Sequence, residues 1–162
     1  MLSKWRSVGF VSSLRSNKAR ARESAACNSL ATSFVRRLAS EGEPPQQMAH
    51  HFLQDLLTRL ATHAPRPALL YNDHTCTYAE LAAAAKCCAA WLQSQRVDNG
   101  DRVALVTPNK LPFLIGHLGV LLSGGVPLPL NPRFTREELR YFLTDSGAKV
   151  VIAGPDQQPL LA

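Results

Sequence analysis

Between Met48 and His63 the apolar residues Phe52, Leu53, Leu56, Leu57 and Leu60 recur at the intervals of one helical stripe. Ala64-Pro65-Arg66-Pro67 ends that run. The pattern then shortens. Ala68 to Tyr71 and Thr75 to Tyr78 flank a turn at Asn72-Asp73-His74 and read as a β-hairpin. Thr77 followed by Glu80 has the spacing of a capping box, in which each side chain satisfies the other residue's unpaired backbone N–H. The alanine-rich stretch Leu81 to Gln95 favours helix. Val97-Asp98-Asn99-Gly100-Asp101 stops it, and Arg102 to Val106 is a nearly unbroken apolar run, as in a strand covered on both faces.

The alternation continues. Pro112 to Leu122 is apolar almost all round and predicts a buried helix, closed by Ser123-Gly124-Gly125 with a glycine for the left-handed cap. Val126 to Leu130 reads as a strand, and Pro127 and Pro129 place it at an edge or in irregular pairing. Thr135 and Glu138 repeat the capping-box spacing before a helix from Arg136 to Asp145, Gly147 closes it, and Lys149 to Ala153 gives a last strand. Helix and strand alternating with short connections imply an α/β layered fold. The expected sheet is mostly parallel, with crossover helices, preceded by the hairpin. It reads as incomplete, because a further crossover helix is expected after Gly154.

Charge divides the chain. Residues 1–40 carry Lys4, Arg6, Arg15, Lys18, Arg20, Arg22, Arg36 and Arg37 against the single acid Glu23, a balance of +7. The ten basic and eleven acidic residues after them give −1, making up the overall +6. A nucleic-acid reader needs its positive charge on a folded surface, so a nucleic-acid partner is not expected. The first forty residues are rich in Ser and Arg with scattered single apolar residues, the composition of a mitochondrial transit peptide, with a disordered basic tail without a targeting role or a plastid address as the alternatives. They are expected to be disordered or an amphipathic helix, to engage the mitochondrial import machinery and to deliver the chain to the matrix. Residues 41–47 (EGEPPQQ) read as a linker, and residues 48–162 as the folded domain. No apolar run is long enough for a transmembrane helix.

Candidate chemistry is sparse. Cys27, Cys76, Cys87 and Cys88 show neither a CxxC pair nor a His partner at metal-ligand spacing. Reduced thiols are expected, with Cys87 and Cys88 adjacent on a helix and at least one buried. His117 lies on an apolar helix and reads as a packed neutral histidine, whereas His50, His51 and His74 read as solvated. Asp98 and Asp101 look like turn formers. Arg133, Arg136 and Arg140 beside Glu137 and Glu138 read as a solvated helix face. Ser123-Gly124-Gly125 lacks the Gly-Lys-Ser/Thr of a phosphate loop and closes a helix where such a loop opens one. No catalytic, cofactor-binding or metal-binding residue is assigned.

Four stretches in order resemble the adenylate-forming superfamily of acyl-CoA synthetases, luciferases and peptide-synthetase adenylation domains. Thr77-Tyr78-Ala79-Glu80-Leu81 is similar to its first core motif. Gly100-Asp101-Arg102-Val103-Ala104 resembles its usual strand entry, and Leu121 to Asn131 (LLSGGVPLPLN) its second core motif. Asn131-Pro132 with Glu137-Glu138-Leu139 and Asp145-Ser146 also fits. The Leu128-to-Asn131 run and Tyr141 to Asp145 look most like malonyl-CoA and related short- or medium-chain synthetases. The resemblance implies a reaction in which a carboxylate attacks the α-phosphate of ATP and CoA then takes the acyl group, with Mg²⁺ as metal. It also implies a Ser/Thr/Gly-rich loop ending in Pro-Lys, an aromatic-Thr-Glu motif, a ribose-binding aspartate and a lysine on a mobile C-terminal domain, none of which this chain contains. The reading that follows is the N-terminal part of an acyl-CoA synthetase, not catalytic alone. The alternative is an interaction module that associates with a full-length synthetase.

Overall fold

The structure is a computed structural model that describes residues 7–8, 44–71 and 74–161. Its elements in chain order are β1 (Ser7–Val8), α1 (Pro44–Thr62), β2 (Pro67–Tyr71), β3 (His74–Thr77), α2 (Tyr78–Ser94), β4 (Arg102–Val106), α3 (Lys110–Leu122), β5 (Val126–Pro129), α4 (Arg136–Ser146) and β6 (Val150–Ala153). A 3₁₀ turn, Gln158–Leu160, follows. Cys27, most of the basic leader and the Asn72-Asp73 turn lie outside the described residues.

Between residues 48 and 153 the expected elements are all present and the differences sit at their ends; outside that span, Ser7–Val8 of the leader is a strand, where disorder or an amphipathic helix was expected, and a 3₁₀ turn, not a helix, follows Gly154 among the described residues. Helix α1 starts at Pro44, inside the stretch read as a linker. Prolines suit a first helical turn, where their missing N–H has no intrahelical partner to lose. Of the α1 stripe, Leu53 and Leu60 are buried and Leu56 and Leu57 pack beside them, but Phe52 is exposed at the stripe's edge. Strands β2 and β3 pair antiparallel with an irregularity between Pro67 and Leu69.

Both capping boxes form. The Glu80 N–H donates to Thr77 Oγ1 at 3.2 Å while the Thr77 N–H donates to Glu80 Oε2 at 3.0 Å. Thr135 and Glu138 repeat the exchange at 3.3 and 2.8 Å. At C-terminal ends, Gly124 after α3 and Gly147 after α4 take the left-handed conformation with φ of 81° and 60°.

The main sheet has the order β1-β6-β4-β5, and all three of its pairings are parallel. The connection from β4 through α3 reaches the neighbouring strand β5. The connection from β5 through α4 returns past β4 to β6 on its far side. Two crossovers of one hand running in opposite directions place their helices on opposite faces of the sheet. The side chains of β4 and β6 record this by strict alternation. Val103, Leu105, Val150 and Ile152 join α2 and α3 in the larger core, with Leu53 and Leu60 of α1. Ala104, Val106, Val151 and Ala153 join Leu139 and Leu143 of α4 on the other face. Leu161 is buried in that second cluster, and Arg136 Nη2 donates to the Pro159 carbonyl at 2.9 Å, tying the segment after β6 beneath α4.

The α2–α3 contact is very close. A Cβ on Gly119 would lie 2.6 Å from both Cβ and Sγ of Cys88 and 3.2 Å from the Ala85 carbonyl oxygen. Glycine is therefore the residue that lets these two helix backbones meet. Cys88, Ala85 and Ala89 supply the small facing side chains and are fully buried.

Candidate functional site

The two ends of the parallel sheet are built differently. At the strand starts, loops are tied to one another by backbone bonds: Gly100 N–H to Gly124 O at 2.9 Å, Val126 N–H to Asp101 O at 2.8 Å, and Lys149 N–H to Arg102 O at 2.8 Å. Side chains reinforce them. Asp101 Oδ2 accepts the Asp98 N–H at 2.7 Å and Lys149 Nζ at 2.6 Å, Lys149 also reaches Asp98 Oδ2 at 3.2 Å, and Arg102 Nε donates to the Ser146 carbonyl. Partial burial opposes the charge on Asp101. The hydrogen bonds from Lys149 and the Asp98 N–H, with the charges of Lys149 and Arg102, outweigh it and hold the carboxyl below its usual range. The bond to Asp101 correspondingly raises Lys149. Asp98 and Asp101 are turn formers, as their sequence context suggests. Lys149, far along the chain, is the partner that sequence reasoning missed.

The strand ends are the other pole. In an open parallel sheet, ligands enter outside the carboxyl ends of the strands, where the direction of winding reverses. Here that reversal lies between β4 and β6. The adjoining residues are Thr107, Pro108 and Asn109 after β4, and Gly154 to Gln157 after β6. Gly154 N–H donates to Val106 O at 3.0 Å, so the two loops leave the sheet side by side. A Cβ on Gly154 would meet Gln157 Oε1 at 2.6 Å and Pro108 Cδ at 3.3 Å, so the close approach requires glycine. Thr107 and Gln157 are 7% and 8% exposed, and Thr107 Oγ1 and Gln157 Oε1 make no hydrogen bond within the protein. A hydroxyl that can donate or accept, beside an amide oxygen that accepts, suits a polar, uncharged group. The pair gives neither a nucleophile with its base nor a cationic cradle for phosphate.

The remaining candidates resolve individually. His117 is half-buried on α3 and stacks on Phe113, ring centroids 5.9 Å apart, as a packed histidine does. Cys76, Cys87 and Cys88 are thiols. Burial, then the neighbouring Cys87, pushes Cys88 up to about 12, which makes it an inert core residue. His50 and His51 fall in α1 and His74 opens β3. Arg133 and Arg140 are exposed, as expected, whereas Arg136 leaves the basic face for the Pro159 carbonyl. On the same helix, Phe142 stacks on Phe134 at 5.0 Å and meets Tyr141 edge-on at 5.5 Å, with Tyr141 64% exposed. Among the described residues no group of three or more His, Cys, Asp or Glu could hold a metal, and no helix is long and apolar enough to cross a membrane.

Comparison with known proteins agrees with this architecture. The family model described as AMP-binding enzyme matches residues 56–161. The long-chain-fatty-acid–CoA ligase FadD13 of Mycobacterium tuberculosis is 37% identical over 109 residues, which are 65% of this chain and 22% of that protein. Surfactin synthase subunit 2 of Bacillus subtilis is 33% identical over 109 residues, 67% of this chain and 3% of its own. Among solved structures, the N-terminal domain of FACL13 from Mycobacterium tuberculosis superposes with a TM-score of 0.61 at 36% identity, covering 67% of this chain and 28% of that one. A benzoate CoA ligase from Burkholderia xenovorans gives 0.64 at 29% identity, covering 67% and 22%. The chain thus spans about a fifth of the length of the first of these relatives. It belongs to the AMP-binding enzyme family and corresponds to the N-terminal part of an adenylate-forming acyl-CoA ligase.

Proposed function

We propose that this chain supplies the first α/β subdomain of an acyl-CoA synthetase, catalyses neither half-reaction by itself, and is carried to the mitochondrial matrix by its basic first forty residues. The observation that carries the reading is where the four family-like stretches fall. Thr77 to Leu81 is the cap of α2, and Gly100 to Ala104 is the tied entry of β4. Leu121 to Asn131 is the α3–β5 joint, and Asn131 to Ser146 is the capped α4. Each stretch closes a structural joint, and none presents a reacting group. Thr107 and Gln157 at the β4 and β6 ends bring neither a cation for the phosphates of ATP nor a carboxylate for its Mg²⁺. In this reading, residues outside this chain provide those groups.

The acyl substrate we favour is malonate or a short- or medium-chain acid. The support is the Leu128-to-Asn131 run and the Tyr141-to-Asp145 segment, although FadD13 is named for long-chain acids. The leader reading rests on charge segregation, +7 in residues 1–40 against −1 beyond.

Purified chain is expected to show no ATP–pyrophosphate exchange above background with malonate or octanoate; exchange above background would overturn the non-catalytic reading. An antibody against residues 100–150, applied to isolated mitochondria, tests the rest. A matrix band several-fold larger than this chain supports a subdomain of a working ligase. A band near the size of the chain without its leader makes an interaction role with a full-length synthetase the better reading. No matrix signal removes the import assignment.

A further inference from the structure

The polar atoms left over at the strand ends belong to one small volume. A Cβ on Gly154 would fall 2.6 Å from Gln157 Oε1 and 3.3 Å from Pro108 Cδ, so the amide oxygen and the proline ring approach the same point from two sides. Thr107 is the residue joined to that ring, and the Gly154 N–H bonded to Val106 O holds the two loops together just below it. Thr107 is 7% and Gln157 8% exposed, yet Thr107 Oγ1 and Gln157 Oε1 bond neither to each other nor to any other group of the protein. Buried polar atoms are nearly always paired, and where the protein offers no partner an ordered water takes the place.

We propose that Thr107 and Gln157 form a binding site for one internal water that joins the β4 and β6 loops. The water donates one O–H to Gln157 Oε1 and accepts the proton of the Thr107 hydroxyl. The chemistry of the pair selects it. An amide oxygen needs a donor, which turns away a group that only accepts, and neither residue carries the full charge that would hold a buried ion. The bridge extends the β4–β6 ladder by one rung beyond its last backbone bond, made from side chains and a replaceable molecule. It places a polar lock at the point where the winding of the sheet reverses. This goes beyond the subdomain reading and stands or falls without it.

The test uses the full chain carrying Thr107→Val and Gln157→Met, singly and together, which keep the side-chain shapes and remove the hydrogen-bonding atoms. Dry and hydrated sites differ in sign. If the hydroxyl and the amide oxygen are dry, removing either relieves an unpaired polar atom and raises the urea midpoint. If they share a water, each single substitution strands the other partner, and the unfolding constant is expected to rise about tenfold. The second substitution then has nothing left to strand, so the double variant should be no less stable than either single one. Far-UV circular dichroism confirms folding. A high-resolution crystal structure of the unsubstituted chain, grown without small alcohols or amides, is expected to show a water within hydrogen-bonding distance of both atoms, and this result stands even where a variant fails to fold. A raised midpoint in Thr107→Val, additive losses in the double variant, or a site without a water touching both atoms would each overturn the shared water.

Discussion

Replacing Gly119 by alanine sets two well-measured effects against each other. In an exposed helix the change stabilises by about 1 kcal/mol, because alanine loses less backbone freedom on folding. Here the new methyl would sit 2.6 Å from Cys88 Cβ and Sγ. Carbon atoms in contact prefer about 3.5–4.0 Å, so α2 and α3 must part by about 1 Å, and a gap of that size forfeits about a quarter to a half of each dispersion contact along the seam. Overpacking of buried sites costs about 1–3 kcal/mol, and nothing near Gly119 can swing aside, since the obstructing atoms are a Cβ, its sulfur and a backbone oxygen. The net expectation is a loss of about 1–2 kcal/mol after the propensity gain is subtracted. It is measured as a lower urea midpoint at unchanged slope. Gly116→Ala on the same helix is the control: its nearest atom is the flexible Leu105 Cδ2 at 3.3 Å, so it should be neutral or mildly stabilising. Cys88→Gly removes both obstructing side-chain atoms and should couple favourably with Gly119→Ala, whereas Cys88→Ala leaves the Cβ and should couple less. A Gly119→Ala midpoint above that of the unsubstituted protein would refute the close-contact argument.

Three further expectations follow from features already described. Arg96 takes a left-handed conformation, φ 60°, just past α2, so Arg96→Gly should stabilise by about 0.5–1 kcal/mol in the same urea assay, and a loss would show the position unstrained. Cys88, held near 12, should have about one part in ten thousand as thiolate at pH 8. Mass-spectrometric mapping should find it unalkylated in folded protein and modified in urea, and native labelling as fast as Cys76 would contradict its burial. Asp101 is depressed on folding, so its contribution is present above the carboxylate's unfolded pKa and is lost as pH falls through the lower folded value. Lys149 is raised, and its share disappears as pH rises through its folded value. Asp101→Asn should therefore lower the urea midpoint at pH 7 and converge with the unsubstituted protein below pH 3; a constant difference across that range would remove the ion pair as its cause.

What could be read from the residues alone was whatever short-range chemistry decides. Thr77 with Glu80 and Thr135 with Glu138 mark helix starts because both partners lie within one turn. Pro127 and Pro129 mark an edge because a missing N–H cannot be hidden in a ladder. Long-range pairing left no local trace. The Gly119–Cys88 approach needs two helices already crossed, the Lys149–Asp101 pair joins the starts of two neighbouring strands far apart in the chain, and Ser7–Val8 meets β6 across nearly the whole chain. Arg96 was missed for a different reason: the left-handed position carries arginine where glycine would have announced it. At the strand ends, Thr107 and Gln157 have no motif, and only the register of β4 with β6 shows that they share one end of the sheet. The family resemblance was legible because its stretches are the joints of the fold.

The contrast between the two ends of the sheet predicts how this unit tolerates rewriting. Three loops at the strand starts hold one another through reciprocal backbone bonds, so an inserted residue at 98–101, 123–125 or 147–149 would disturb its neighbours as well as itself. The loops at 107–109, 131–135 and 154–157 emerge where the strands have already been fixed in register. Their lengths can change while β4, β5 and β6 stay aligned, apart from the glycine that Gln157 and Pro108 demand at position 154. The fold therefore behaves as a socket with one fixed face and one exchangeable face. Libraries of loop length and sequence should be built on the exchangeable side.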